Sequence, residues 1–420
     1  MAHQADSAIV LSVVALAMLL ALLRPRGWHE AWWTSGGAAL LLALRVVPPR
    51  RALEVASAGR DALVFLLGLL LLSTLLERSG FFGWAALTCA RRARGDGRAL
   101  YRNVFVLGAV ITAALSLDTT AVMLTPLVLA FVRRLDVPAR PYVFACVFVA
   151  NIGSLVLPMS NLTNLLFLEA LHVSTGAFAL RMLAPQIFAL GINYGLFRLW
   201  FWRELPRYVH TEALPLPATA IAQPVFFRAA SWVLALVCAG YFAAPLLHVQ
   251  PFWIALAGAG VLAVVGMATA RIGLSWLRDL PLGVFPFVLG LFVLVAAVEQ
   301  IGLAQRAGAL LLRAHPELMR GVLAAAGAAV LSNGVNNLPA ALFAKGALAG
   351  ERSPELLWYV LAGTNVGPCV TAFGSLATLL VLAVARQRGV DLRRRDLLSV
   401  GLVATPLLVL AAVAGMALRP

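Results

Sequence analysis

The stretch GTNVGPCVTAFGSLATLL, from Gly363 to Leu380, decides the fold. It lies inside a charge-free window, Leu356 to Ala385, which is long enough to cross a bilayer, since about 20 apolar residues suffice. The middle of this window holds three glycines, a proline, an asparagine and several hydroxyl side chains. Glycine and proline disfavour a continuous helix. We therefore predict two half-helices separated by a break.

The composition indicates a membrane protein. The chain has 420 residues, of which 62% are hydrophobic and 12% charged, with a mean hydropathy of +0.91. A soluble domain carries roughly 25% charged residues. Charge-free runs recur along the whole chain, so we predict an all-α, multi-pass protein embedded in the lipid bilayer. The first apolar run has no basic region before it, which favours a first span over a cleaved signal peptide. The basic residues include a single lysine, which is typical of a GC-rich bacterial genome. We predict a multi-pass protein of the bacterial inner (cell) membrane.

The charge and the motifs exclude several function classes. The net charge is +15, but the basic residues are scattered over short loops, which argues against nucleic acid and is typical of the positive-inside rule. The four cysteines stand alone without C-x-x-C spacing, so no disulfide framework or metal site is predicted. No nucleophile elbow or phosphate-binding loop occurs. We predict neither an enzyme nor a cofactor.

The apolar runs occur twice in the same order. Residues 1–202 form the first half, 203–228 a polar linker, and 229–420 the second half. Each half reads as three spans, an amphipathic piece, two short arms, an interrupted span and a last span. If the arms form re-entrant hairpins, each half crosses the membrane five times. An odd number predicts two inverted repeats, the plan of many secondary transporters. Placing the linker in the cytoplasm puts most of the 33 basic residues inside.

Four polar stretches stand at corresponding places in the two halves. The arms 101–117 and 119–134 meet at one polar tip, and the arms 321–332 and 338–349 at another. The interrupted spans are 141–171 and 356–385. Unwound backbone at membrane depth is tolerated where it is buried or lines a cavity, and half-helix ends offer free N–H and C=O groups to ligands. The alternative is that small polar residues only let helices pack closely. The predicted substrate- or ion-binding residues are Asp118, Thr119, Thr120, Asn151, Ser154, Ser160, Asn161, Asn164, Ser332, Asn333, Asn336, Asn337, Thr364, Asn365, Cys369, Thr371 and Ser375.

Two of these residues have distinct chemistry. Asp118 is the only carboxylate in the four stretches, and carboxylates inside a membrane are usually functional. It is the candidate for the coupling proton, or alternatively it caps the second hairpin arm by accepting N–H bonds from Thr120 or Ala121. Cys369 is either a soft ligand or a small buried hydrophobe.

Five stretches together are similar to the motifs of one transporter family. ERSGFFGWAAL (Glu77–Leu87) stands before the first predicted hairpin, and LDTTAVMLTPLVLA (Leu117–Ala130) forms part of that hairpin. MSNLTN (Met159–Asn164) lies in the first break. LSNGVNNLPAAL (Leu331–Leu342) lies in the second hairpin, and GSLATLL (Gly374–Leu380) ends the second break. With these stretches the chain resembles the ArsB-type arsenite/antimonite efflux proteins, within the ion transporter superfamily that includes sodium/dicarboxylate carriers. The resemblance implies an elevator-type carrier that exports trivalent metalloid hydroxides, by proton antiport, and that forms a homodimer.

The sequence departs from this family at three positions. The efflux proteins often carry Asp where Asn151 and Asn365 stand here, and Lys where Cys369 stands. If proton antiport is retained, Asp118 is the remaining candidate for the coupling group. The carrier could instead be driven by the membrane potential or by the substrate gradient.

Two other functions are compatible with the sequence. A sodium- or proton-coupled carrier of an organic or inorganic anion, such as a dicarboxylate, has the same fold, but the Ser-Asn-Thr triplet of such carriers is absent from both tips. The chain could also be the membrane subunit of a pump whose cytoplasmic partner is an ATPase, docked on basic loops.

Overall fold

The computed structural model describes residues 2–23, 25, 28–270, 272–349 and 354–418. In these ranges the chain is helical, and the only β contact is an isolated bridge between Asp96 and Tyr208. The helices of the first half are α1 (Ala2–Leu23), α2 (Glu30–Ala43), α3 (Pro49–Ala58), α4 (Arg60–Arg78), α5 (Phe81–Arg91), α6 (Gly97–Ala114), α7 (Leu117–Thr119), α8 (Thr125–Arg134), α9 (Arg140–Ile152), α10 (Leu162–Leu171) and α11 (Thr175–Trp200). Those of the second half are α12 (Pro224–Leu247), α13 (Pro251–Thr269), α14 (Val284–Gln300), α15 (Leu303–Leu312), α16 (Glu317–Val335), α17 (Asn337–Ala347), α18 (Glu355–Val366), α19 (Leu376–Gln387) and α20 (Arg394–Ala417).

Six segments of the described chain are long and apolar enough to cross a bilayer, and a bent pair makes a seventh. The six are α11, α12, α13, Leu274–Gln300 with α14 at its end, α16 and α20. The bent pair is α3 and α4, which meet at 50°. Gly59 lies at the bend, where a Cβ would collide with the ring of Phe292. These lengths confirm a multi-pass, all-helical membrane protein, while the predicted total of ten crossings stays a prediction.

The same helix packing recurs in the two halves. Helix α4 packs on α13, and its counterpart α14 packs on α2. Helix α1 packs on α2 as α12 packs on α13, and α6 packs on α9 as α16 packs on α18. The last helices of the two halves, α11 and α20, pack on each other. The third span of each half thus packs on the second span of the other half, as two related halves would do. The inverted orientation of the halves stays a prediction.

The hairpins differ in detail from the predicted arms. The first arm of the first hairpin, α6 with 18 residues, is about as long as the predicted arm 101–117 but begins and ends earlier, whereas α16, with 19 residues, is longer than the predicted arm 321–332. In the first hairpin the chain passes through a π-helical turn, Thr120–Leu124, before α8 begins. The extra residue per turn lets the Thr125 hydroxyl donate to the Thr120 carbonyl, at 3.0 Å.

The linker is an ordered strap with two short 3₁₀ turns, Thr211–Ala213 and Pro217–Ala220. Arg91 and Arg134 donate to the carbonyl groups of Leu214 and Ala213, at 2.7 and 3.0 Å. The strap therefore lies against the ends of α5 and α8. Helix α12 begins at Pro224, within the segment predicted as linker, because proline suits the first turn of a helix.

Candidate substrate-binding site

Both interrupted spans are broken where the sequence predicts. Helix α9 ends at Ile152 and α10 begins at Leu162, and α18 ends at Val366 and α19 begins at Leu376. Asn161 and Ser375 cap the second half-helices, since their side-chain oxygens accept bonds from the backbone N–H groups of Thr163 and Thr378, at 3.1 and 3.0 Å. The caps hold each second half-helix in place, and backbone groups of the breaks remain for other partners.

An amide cluster joins the two breaks across the middle of the molecule. The Asn365 side-chain oxygen accepts from the Ser154 hydroxyl at 3.0 Å and from the Asn161 amide at 2.6 Å. The Asn365 amide nitrogen donates to the Asn164 side-chain oxygen at 2.9 Å. All four side chains are buried. They therefore satisfy one another and tie the first half of the chain to the second.

Asn151 and Cys369 face each other beside this cluster. The Asn151 amide nitrogen donates to the Val147 carbonyl at 2.8 Å and to the Thr378 hydroxyl at 3.0 Å, while its side-chain oxygen is buried without a hydrogen bond in the described structure. Cys369 is fully buried. The position of Cys369 matches that of a small buried hydrophobe.

Asn333 holds the backbone of the second break. Its side-chain oxygen accepts from the N–H groups of Val370 and Thr371, at 3.0 and 2.9 Å, and its amide nitrogen donates to the Gly367 carbonyl at 2.7 Å. The Thr371 hydroxyl donates to the Asn333 carbonyl at 2.8 Å. One hairpin side chain thus supplies partners that the unwound backbone would otherwise lack.

At the first hairpin tip Ser116, not Asp118, is the cap. The Ser116 hydroxyl accepts from the Thr119 N–H at 3.1 Å. The capping alternative for Asp118 is therefore wrong, because a residue two positions earlier has the extended backbone that a cap requires. Thr119 bonds to the Ser73 hydroxyl at 2.8 Å, and Thr120 to the Thr112 hydroxyl at 2.7 Å.

At the second tip Asn336 adopts φ +79° and ψ 153°, a backbone conformation that residues with a side chain rarely adopt. Its side chain accepts from the Leu338 N–H at 3.4 Å and donates to the Phe373 carbonyl at 3.0 Å. The Asn337 N–H donates to the Gly374 carbonyl at 2.9 Å. The second hairpin is thereby fixed to the second break, just before α19.

Three predicted site residues bond to nearby backbone instead. The hydroxyls of Ser332 and Thr364 donate to carbonyls of their own helices, at 2.8 and 3.0 Å. The Ser160 hydroxyl donates to the Ala113 carbonyl at 3.0 Å. All three are buried. In this conformation their positions fit the packing alternative better than a binding role.

A central cavity of about 40 Å³ lies between the two tips and the first break. Its polar lining consists of Asp118, Asn161, Thr163, Asn336 and Asn337, and its other walls are apolar. In the described chain no donor bonds to the Asp118 carboxylate, and the buried Thr163 hydroxyl has no partner. These two groups remain available for a ligand.

A second cavity of about 70 Å³, here called the Glu30 cavity, adjoins the central one. Asp118 lines both, together with Leu66, Val284 and Leu376. The Glu30 cavity extends to the first turn of α2, where Glu30 is buried and the Glu30 carboxylate lies 3.9 Å from the half-exposed His29 ring. Asp118 therefore stands between the central cavity and a passage towards one end of the molecule.

Sequence reasoning missed several of these residues. Ser116 and Thr378 carried a signal, because a serine at the start of a helix typically caps the N–H group three residues later. Ser116 stands three residues before Thr119, and Ser375 three residues before Thr378. Thr163 lies inside the quoted stretch MSNLTN. Ser73 carried little signal, since isolated hydroxyls in apolar spans are usually packing residues.

Comparison with known proteins places the chain in context. The family model for the arsenical pump membrane protein matches residues 9–418. The arsenical pump membrane proteins of Yersinia enterocolitica and Escherichia coli K12 are 32% and 30% identical to this chain, each over 97% of it and 98% of their own length. The crystal structure of the Alcanivorax borkumensis YdaH transporter superposes with a TM-score of 0.57 at 18% identity, covering 87% of this chain and 86% of that one. That likeness supports the fold alone. With bacterial relatives and these spans, the chain is a multi-pass protein of the bacterial inner membrane.

Proposed function

Because the chain belongs to the ArsB family of arsenical pump membrane proteins, we propose that it is a secondary transporter that exports arsenite and antimonite in exchange for protons. The observation that carries the proposal is the central cavity, in which Asp118 and Thr163 have no protein partner among the described residues and the Asn161, Asn336 and Asn337 side chains surround them. The substrate would bind there between the two hairpin tips.

The lining matches the chemistry of a trivalent metalloid hydroxide. As(OH)₃ is small and largely neutral at pH 7, and each of its hydroxyls can donate and accept a hydrogen bond. Carboxylate and amide oxygens accept such bonds, and amide N–H and threonine hydroxyl groups donate them. A neutral solute also avoids the large cost of moving a charge into the membrane interior.

The same cavity disfavours the organic-anion alternative. No lysine or arginine lines it, whereas Asp118 adds negative charge. A dicarboxylate needs donors or cations for two carboxylates. The proposal therefore keeps metalloid export as the function.

Asp118 is the proposed coupling group. Asn151 and Asn365 cannot titrate, and both amides are engaged by Thr378, Ser154 and Asn161. Asp118 is thus the one carboxylate of the predicted site, and it faces both the central cavity and the Glu30 cavity. A carboxylate in this position can take up a proton from one side and release it to the other. We propose one proton per transport cycle.

The remaining features stay predictions. An elevator-type movement would carry the hairpins and broken spans relative to the other helices, and the homodimer and the cytoplasmic ATPase partner belong to the same set of expectations. A secondary carrier driven by protons needs no ATPase.

The test is arsenite accumulation in bacteria that lack their own arsenite efflux pump. Cells that express the protein should hold less arsenite than cells with an empty vector, and Asp118→Asn should abolish the difference, because asparagine keeps the shape and cannot carry the proton. Asp136→Asn is the matched control. Asp136 lies in the loop after α8 of the same hairpin and is exposed, so this variant should export normally.

Three outcomes separate the parts of the proposal. Export by Asp118→Asn at the wild-type rate would remove the coupling role and keep the substrate. No change in arsenite or antimonite, despite normal amounts of protein in the membrane, would overturn the metalloid assignment. Loss of export in both variants would point to damage to the hairpin rather than to coupling.

A further inference from the structure

A third cavity of about 110 Å³, here called the Lys345 cavity, lies on the other side of the central cavity. It is enclosed by α3, α10, α14 and α17, and Glu299 and Lys345 are its two charged lining residues. Under the predicted orientation this end of the protein faces the outside of the cell. The Glu30 cavity, lined from α2, α4, α14 and the first hairpin, leads to the opposite end.

The Lys345 cavity and the central cavity are one helical turn apart along three helices at once. On α10, Leu162 lines the central cavity and Leu166 the Lys345 cavity. On α17 the corresponding pair is Leu338 and Leu342, and on α14 it is Val288 and Phe292. Residues four apart share one face of a helix and are separated by about 6 Å along its axis. The two cavities therefore follow one another along the same faces of these three helices, in a line of cavities lined largely by apolar side chains.

Polar contacts join the helices on the side of the Lys345 cavity away from the central cavity, here called its mouth. The Lys345 ammonium, on the last turn of α17, donates to the Leu166 carbonyl of α10 at 3.3 Å. The Glu299 carboxylate, at the end of α14, lies 3.5 Å from the Arg51 guanidinium of α3. Glu299 also lies directly against α17, because a Cβ on Gly346 would be 2.6 Å from the Glu299 carboxylate oxygen. The second hairpin is thus tied to the first broken span and to α14 at the same place.

From this arrangement we infer that the Lys345 cavity is the release passage of the transporter, and that Lys345 is the positioning residue that keeps it closed. The inference rests on the proposed function, since it names the route by which the metalloid leaves the central cavity. Lys345 is the only lysine of the chain. Its long, flexible stem can release one carbonyl and reach water when the hairpin moves. The substrate is neutral, so the two charges at the mouth do not repel it.

The experiment measures access to the passage directly. A cysteine is introduced by Leu342→Cys, and its labelling by a membrane-impermeant maleimide is followed in intact cells and in everted vesicles, with the protein lacking this substitution as background. Lys345→Met keeps the length of the side chain and removes its donor. Loss of a hydrogen bond to a charged group shifts an opening equilibrium by roughly tenfold or more. Lys345→Met should therefore speed labelling about tenfold.

Two controls make the result specific. Lys345→Arg retains charge and donors and should label at the wild-type rate. Arg50→Met removes an exposed cation of α3 that pairs with Glu54, at 3.3 Å, and should also have no effect. If Lys345→Met is produced poorly, Gly346→Ala serves as a second variant, because the new Cβ displaces Glu299 and should open the same mouth.

Equal labelling rates in all variants would overturn the inference. Labelling that accelerates in Arg50→Met as much as in Lys345→Met would do the same, since it would indicate general loosening. Arsenite efflux is measured in parallel. If the wild-type protein exports no arsenite, the proposed function fails, whereas the labelling rates still report whether Lys345 closes this passage.

Discussion

Asn365→Ala is the substitution that most directly tests the amide cluster. It removes three side-chain hydrogen bonds between the breaks, those with Ser154, Asn161 and Asn164, at 3.0, 2.6 and 2.9 Å. Within a membrane protein each such bond contributes about 0.6 to 1 kcal/mol. The three together predict a loss of about 2 to 3 kcal/mol in the free energy of unfolding. The loss of free energy of unfolding is larger still if a buried former partner of Asn365 is left without any hydrogen bond.

Thr364→Ala is the matched control for this prediction. Thr364 precedes Asn365 on α18, is equally buried, and bonds only to the Leu361 carbonyl of its own helix, at 3.0 Å. Its replacement should cost less than about 1 kcal/mol, because the backbone carbonyl keeps its helical partner. Unfolding of purified protein in detergent, followed by tryptophan fluorescence, measures both variants under the same conditions.

A double-mutant cycle with Asn164→Ala then isolates the pair. Asn365 and Asn164 are in contact, so their effects should not add, and the coupling free energy should be about 1 kcal/mol. The reasoning is refuted if Asn365→Ala destabilises no more than Thr364→Ala, or if the coupling is near zero. Either result would mean that the cluster does not join the two breaks.

Two further predictions concern the second hairpin and the broken span that packs on it. Gly363→Ala should destabilise the protein by about 1 to 3 kcal/mol through overpacking, because the new Cβ would collide with the Ala325 carbonyl of α16. Gly327→Ala is the control. Gly327 lies on α16 with open space around it, so this variant should be neutral or slightly stabilising. Thermal melting in detergent compares the two. Asn333→Ala should leave Val370 and Thr371 N–H groups without their acceptor and should lower arsenite export at least about tenfold, with normal protein amounts in the membrane; wild-type export by this variant would contradict the proposed role of Asn333.

The order of the helices and the two breaks followed from the sequence alone. Charge-free runs interrupted by glycine and proline identify broken spans, because hydrocarbon does not tolerate unsatisfied backbone. The breaks at Pro158 and Pro368 are therefore local features that one sequence can reveal. The bend at Gly59 was missed, since Gly59 stands beside Arg60 and Asp61, before the apolar run begins, and a single glycine there carries a weak signal.

The partners within the site did not follow from the sequence. Asn365 meets Asn161 across a separation of 204 residues, and such a contact depends on how the two halves dock. The composition of the four polar stretches could not separate Asn161, which lines the central cavity, from Ser332, which bonds to its own helix. The choice of Ser116 over Asp118 as cap was likewise decided by local backbone geometry.

The three residues at which the chain departs from the family pattern are all buried in the structure. Asn151 and Asn365 are engaged in buried amide contacts, and Cys369 is enclosed between α18 and its neighbours. A carboxylate at either asparagine would lose a donor that the network uses. The proposed mechanism accordingly places the whole coupling function on Asp118.

The most direct test of proton-coupled metalloid export uses proteoliposomes that contain a pH-sensitive dye. When arsenite is added outside, the wild-type protein should carry arsenite inwards and protons outwards, so the interior becomes more alkaline. Asp136→Asn should give the same signal, and Asp118→Asn should give none. Arsenite uptake without any pH change in the wild-type protein, or an equal pH change with Asp118→Asn, would contradict the account.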